Sequence, residues 1–262
     1  MRFRTRAALL AALLLAVGSA LPGCGGRLFG RQYEYEEDLT LALDGSATLV
    51  VNASIPALVA LRGLELSADR GARVDRAKVR ELYTSPYAEV LRVSEWLREG
   101  RRFVGVRLRV PDIRQLPRAR PFAWSTYTLV PVGGQHVFTE RVGPSAFRAG
   151  TLTNVGWNGT EIVAFRLHLP SRINFHNARQ LETNDTRTVE RGNILTWEQR
   201  LTDRLDGVPI EIQVRMDSQS ILYRTLWLFA GAFTAAVLVL VLLIWMAMRR
   251  GARAERGTLN PD

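Results

Sequence analysis

The chain has 262 residues, with 35 Lys plus Arg against 25 Asp plus Glu and a formal charge of +10. Three N-terminal arginines and a basic C-terminal tail carry about half of that excess; the mild positive charge left between them suits an anionic surface and does not imply nucleic acid. The single cysteine, Cys24, excludes an internal disulfide. Basic residues are almost all arginine, with Lys78 the sole lysine, a usage expected of a GC-rich bacterial genome.

Arg2, Arg4 and Arg6 precede an apolar run over residues 7–21, then Pro22, Gly23 and Cys24. This is the pattern of a secretory signal peptide over residues 1–23, set aside from fold reasoning. Leu21-Pro22-Gly23-Cys24 resembles a bacterial lipobox, with Pro22 departing from the usual small residue. The expectation is a diacylated Cys24 as mature N-terminus and residues 24–30 as a tether. An uncleaved apolar anchor and plain cleavage near Cys24 are the alternatives.

Residues 31–221 form the expected extracytoplasmic domain. Leu39, Leu41 and Leu43 alternate with polar or small residues, Asp44-Gly45 turns the chain, and Ala47, Leu49 and Val51 resume the alternation: a hairpin. Ser54 and Pro56 open a short apolar helix to about residue 64. A second helix over 75–83 puts Val79, Leu82 and Tyr83 on one face, and Arg76 and Arg80 on another. Strands follow over 90–97 and 103–110, then 122–132 and 136–142 across Gly133-Gly134. Further strands span 161–169, 193–201 and 208–216, the last two joined through Asp206-Gly207. The pattern predicts one α+β domain, a largely antiparallel sheet with two short helices on a face of it. An all-β sandwich is the rival.

Little in this stretch points to chemistry. His136, His168 and His176 are far apart and lack metal-ligand spacing, so no metal and no cofactor are expected. No GxSxG or SxxK motif supplies a nucleophile. Glu34, Glu36, Glu37 and Asp38 read as a solvated leader to the first strand, because neighbours on a strand face opposite ways. Gly133-Gly134 lacks the strand–loop–helix setting of a phosphate loop. The suggestive surface is basic: Arg101, Arg102, Arg107, Arg109, Arg118 and Arg120, followed by Trp124, suit anionic headgroups. A solvated, Arg-rich sheet face explains the same residues.

The stretch Leu169-Pro170-Ser171-Arg172-Ile173-Asn174-Phe175-His176-Asn177, with Arg191-Gly192-Asn193-Ile194-Leu195-Thr196-Trp197, resembles the LppM-type membrane lipoproteins. The resemblance implies an α+β extracytoplasmic domain that binds envelope lipids or glycolipids, has no catalytic residues, and carries no site onto particular positions. On physical grounds Pro170 ends a strand, Asn177 caps a turn, and Trp197 anchors the core if its indole N–H finds a partner.

Residues 222–248 read as a transmembrane helix, with no charge over 226–248. Trp227 and Trp245 sit near its ends as interfacial anchors, and Arg249 and Arg250 open a basic tail, 249–262, expected in the cytoplasm. These features predict a bacterial inner-membrane lipoprotein without enzymatic activity. Its extracytoplasmic domain would bind an anionic lipid, a glycolipid or a protein partner. Two alternatives are a scaffold subunit of an inner-membrane complex, packing through Gly231 and Ala235, and a hydrolase with acids converging on His168 or Glu198.

Overall fold

In the computed structural model, residues 31–69 and 71–257 are described. Cys24, the signal segment and the tether lie outside them, as do the side chains of Arg249 and Arg250. The elements in chain order are β1 Tyr35–Leu41, β2 Ala47–Ser54, α1 Ile55–Arg62, α2 Arg76–Tyr83, β3 Glu89–Arg98 and β4 Arg101–Val110. Then come β5 Ser125–Val132, β6 Gln135–Val142, β7 Ile162–His168, β8 Ile173–His176, β9 Ile194–Arg200, α3 Leu201–Leu205, β10 Ile210–Asp217 and α4 Ile221–Gly257. Two short 3₁₀ helices, Ile113–Arg118 and Arg120–Phe122, separate β4 from β5.

The class is α+β, with two sheets where one was expected. Six strands run in the order β3-β4-β2-β1-β7-β9, and four in the order β5-β6-β10-β8. Pairing is antiparallel except between β1 and β7, which run parallel from Tyr35↔Val163 to Thr40↔His168. The last two strands are joined through Asp206-Gly207, as the sequence indicates, but not as a hairpin. β9 and β10 do not pair; they belong to different sheets, and α3 with Asp206-Gly207 carries the chain from one to the other. β8 was not foreseen: it is four residues long and follows Pro170, which reads locally as a stop.

Period-two alternation sets the inner face of the larger sheet. Leu39 and Leu41, Leu49 and Val51, Val104 and Val106, and Val163 and Phe165 are buried there. Tyr127, Leu129, Phe138, Ile212 and Val214 supply the inner face of the smaller sheet. α1 is buried at every position, as expected of a helix with no polar stripe. Ser54 Oγ accepts from the Ala57 N–H at 3.1 Å, and Pro56 occupies the first turn. Gly63 at φ 62° closes the other end, its N–H bonding Val59 O. The carbonyls of Ala60 and Leu61, left over at that end, accept from the N–H groups of Phe147 and Ala146. The helix end is thereby fastened to the long connection before β7.

Trp197 meets the condition set for it. Its indole donates to Asn177 Oδ1 at 2.9 Å, and the same oxygen accepts from the Gln213 N–H. One side chain thus ties β9 of the larger sheet to β10 of the smaller. α4 begins four residues after β10, and the Ile221 N–H bonds Pro170 O. From Thr225 to Met246 it is long and apolar enough to cross a membrane, with a mean hydropathy of 2.6 and no part buried.

Candidate functional site

The arginines that cluster in sequence are divided among four environments. Arg101 is buried, 7% exposed. Its guanidinium lies 3.3 Å from Glu34, 2.9 Å from Glu99 and 3.8 Å from Glu161, and it also donates to Gly156 O. Arg107 and Arg109 stand on the outer face of the larger sheet, Arg107 opposite Arg92 and Arg109 paired with Glu89 at 2.8 Å. Arg120 pairs with Glu65 at 2.6 Å, and Arg118 lies over the Tyr87 ring. Trp124 packs edge-on to Tyr35 in the core and does not reach the surface group. The expected continuous basic surface is therefore corrected. Arg101 shares the outer face of β4 with Arg107 and Arg109, but there the buried carboxylates of Glu34 and Glu161 capture it.

Those carboxylates are the residues read as a solvated leader. Glu34, Glu36 and Glu37 are all buried. Glu34 accepts from Trp157 Nε1 at 2.7 Å besides meeting Arg101. Glu36 meets Arg166 at 3.4 Å and accepts from Asn52 at 3.1 Å. Parallel pairing of β1 with β7 places Arg166 beside them, and no local pattern announces that partner.

Glu37 faces the space between the sheets, with Glu140 of β6 opposite. The Arg62 guanidinium, from the last turn of α1, donates to Glu37 Oε1 and to Pro121 O. It lies over the rings of Trp124 at 4.2 Å, Tyr35 at 4.9 Å and Phe122 at 4.9 Å. Tyr35 OH also donates to Glu37, at 2.6 Å. Glu140 Oε1 has no hydrogen-bond partner. Burial pushes the Glu37 carboxyl up to about 8. Burial, then the nearby Glu37 charge, pushes Glu140 well above the carboxylate range, and burial draws Arg62 down to about 10. One guanidinium serves two carboxyls, so the site holds a proton as well as a charge.

On the outer face, His168 Nε2 lies 2.9 Å from Asp38 Oδ1, without hydrogen-bond alignment. Glu198 accepts from Tyr33 OH at 2.6 Å and from Arg187 at 2.9 Å. Asp38 is thus the acid beside His168, while Glu198 is held by the Tyr33 hydroxyl and Arg187. The N–H groups of β7 are committed to the ladders with β1 and β9 on either side. These contacts fasten β1, β7 and β9 to one another. Among the described residues, no group of three or more His, Cys, Asp or Glu side chains could hold a metal ion.

A cavity of about 170 Å³ opens beside the start of α1, under the loop that precedes α2. Ile55, Pro56, Leu66 and Val155 form its apolar floor, and Arg73, Lys78 and Arg102 stand on its wall with Asp69 and Asp75. Asp75 is occupied in capping α2, accepting from the Ala77 and Lys78 N–H groups. Arg101 also borders the cavity, but its charge is spent on Glu34 and Glu99. Arg102, next along β4, points the other way, and its Nε is buried with no partner. Of the arginines singled out in sequence, Arg101 and Arg102 line this cavity. Sequence reasoning missed Arg73, Lys78 and the apolar floor, because they come together only when the loop folds back over α1.

No family model and no curated protein matches the chain. Among solved structures, the chain is similar to the folded domain of the LppM protein of Mycobacterium tuberculosis, determined by NMR, at 14% identity and a TM-score of 0.36, over 73% of this chain and 94% of that one.

Proposed function

We propose that the chain is a non-enzymatic, membrane-anchored envelope lipoprotein whose extracytoplasmic domain binds an anionic lipid or glycolipid at the membrane surface. The observation that carries this reading is a cavity with an apolar floor and three cations, Arg73, Lys78 and Arg102, on its wall. Guanidinium and ammonium groups beside an apolar floor suit an anionic headgroup that carries an apolar segment. At about 170 Å³ the cavity takes a headgroup or a short apolar segment, leaving the remainder of an amphiphile outside.

The test uses the full chain in phosphatidylcholine nanodiscs, titrated calorimetrically with short-chain phosphatidylglycerol and with the matched phosphatidylcholine. Binding is expected for the anionic lipid only. The double variant Arg73→Gln, Arg102→Gln is expected to weaken it roughly thirtyfold, at about 1 kcal/mol for each cation. Equal heats for both lipids would refute the reading. Lipid attachment at Cys24 is tested separately, by mass spectrometry of the mature N-terminus. A diacylated cysteine is the expected species, and an intact N-terminal segment would contradict it.

A scaffold role is the second reading. A Cβ added at Gly231 would meet open space, and Ala235 is exposed one turn further along α4, so a second helix can approach there. Cross-linking in native membranes that returns only the monomer would count against it.

A further inference from the structure

The smaller sheet changes character along its length. On its outer face, cross-strand register builds successive rows. Thr126, Arg141 and Glu211 form one row, and Thr128, Thr139 and Gln213 the next. Both are what a water-facing sheet carries. The third row is Val130, Val137, Arg215 and Phe175, and the last is Val132, Gln135 and Asp217. Val130, Val132 and Phe175 are 45%, 56% and 43% exposed, so this end of the sheet has no cover from the rest of the domain. The Arg215 guanidinium lies over the Phe175 ring at 5.3 Å.

The apolar end is also where α4 begins. The Asp217 N–H bonds Arg172 O, the Ile221 N–H bonds Pro170 O, and Gly134, Arg172 and Ile221 line one shallow cleft. The β5–β6 turn therefore stands at the level of Ile221. Tyr223 and Trp227, in edge-on contact, follow it on the helix. The apolar span opens at Thr225, four residues or about 6 Å of helix beyond Ile221, and a headgroup layer is roughly 5–7 Å deep on each side of the hydrocarbon. With Thr225 at the hydrocarbon boundary, the turn falls within the headgroups of the membrane that α4 crosses.

We propose that the β5–β6 hairpin tip and Phe175 are seated in the interface of that membrane, with Arg172 and Arg215 receiving lipid phosphates. The occupant of this apolar patch is the bilayer itself, because the span leaves no depth of water between them. The surface differs from the arginine stretch 101–120, and it holds the domain at one orientation through contacts additional to the span. The proposal rests on the reading of α4 as a membrane span.

Replacing Cys24 by serine gives a thiol-free chain without an N-terminal lipid, and depth is read as the difference between positions in that one background. In that background Val132→Cys, Thr126→Cys and Val237→Cys are each spin-labelled in the full chain. The protein is reconstituted in bilayers of phosphatidylcholine and phosphatidylglycerol. The ratio of collision rates with oxygen and with a water-soluble nickel chelate reads depth. The label at 132 is expected to give a ratio several-fold above that at 126, six residues or about 20 Å away along the strand, and below that at 237. A label at 132 as water-exposed as that at 126, with 237 in lipid, overturns the proposal alone. Water exposure at 237 overturns the spanning reading and the proposal with it.

Discussion

Arg62→Ala is expected to lower the stability of the extracytoplasmic domain by about 3–5 kcal/mol, the usual cost of stranding the partner of a buried ion pair. The loss has three sources. Glu37 is left without its cation, Pro121 O loses a donor, and the rings of Trp124, Tyr35 and Phe122 close on an empty volume. Urea unfolding of the full chain in detergent, followed by tryptophan fluorescence, measures it. A change below about 1 kcal/mol would show that the cluster is less coupled than its geometry indicates. Arg62→Met combined with Glu37→Gln and Glu140→Gln is expected to recover much of the loss. Replacing all the charges of a buried set together removes their desolvation cost along with their attraction.

The second large effect is a fall in stability as pH rises. Both Glu37 and Glu140 bind a proton more tightly in the folded domain than in the unfolded chain, where carboxyls titrate near 4.3. Unfolding between that value and about 8 for Glu37 therefore releases protons. Stability is full below the unfolded pKa and is lost with rising pH, at about 1.4 kcal/mol per pH unit for each proton retained. The two carboxyls titrate as a pair, so the profile reports their joint behaviour. Urea midpoints are expected to be higher at pH 5 than at pH 7.5, and Glu140→Gln is expected to flatten the slope by about half. A wild-type midpoint that does not fall over this range would dismiss the retained protons. The expectation is opposite in sign to that for exposed salt-bridged carboxylates, whose pKa values are lowered.

These two effects arise from residues whose neighbours in sequence gave no sign of them. Glu37 is one of four acidic residues within five positions, and alternation does place it and Glu36 on opposite faces. The leader reading took both faces to be wet. In fact the face of Glu37 is closed by the smaller sheet, and that of Glu36 is partly covered by Arg166 and Asn52. A buried carboxylate is tolerable only with a partner. The partners here, Arg62, Arg101 and Arg166, are separated from their acids by 25 residues or more. The arginine cluster failed as a surface for the same reason. Arg101 and Arg102 are adjacent and both border the cavity, yet the charge of Arg101 is spent on Glu34. His168 shows the converse: no motif surrounds it, and the parallel strand brings Asp38 to within 2.9 Å.

Local physics was sufficient for what depends on neighbours along the chain. The Asp44-Gly45, Glu99-Gly100 and Gly133-Gly134 turns, the Ser54 cap, the α1 and α2 helices and the inward faces of β1, β2 and β4 follow from φ preferences, capping and period-two burial. The apolar length of α4 follows from composition. Sequence by itself thus determined the α+β class and the helix able to cross a membrane. Tertiary structure decided the division into two sheets, the parallel β1–β7 pair and the assignment of β9 and β10 to different layers. It also decided which charges are buried and paired, and which border the cavity. Strand order and long-range ion pairing are settled by burial between segments distant in sequence, and no local periodicity records which segment will supply the opposite face.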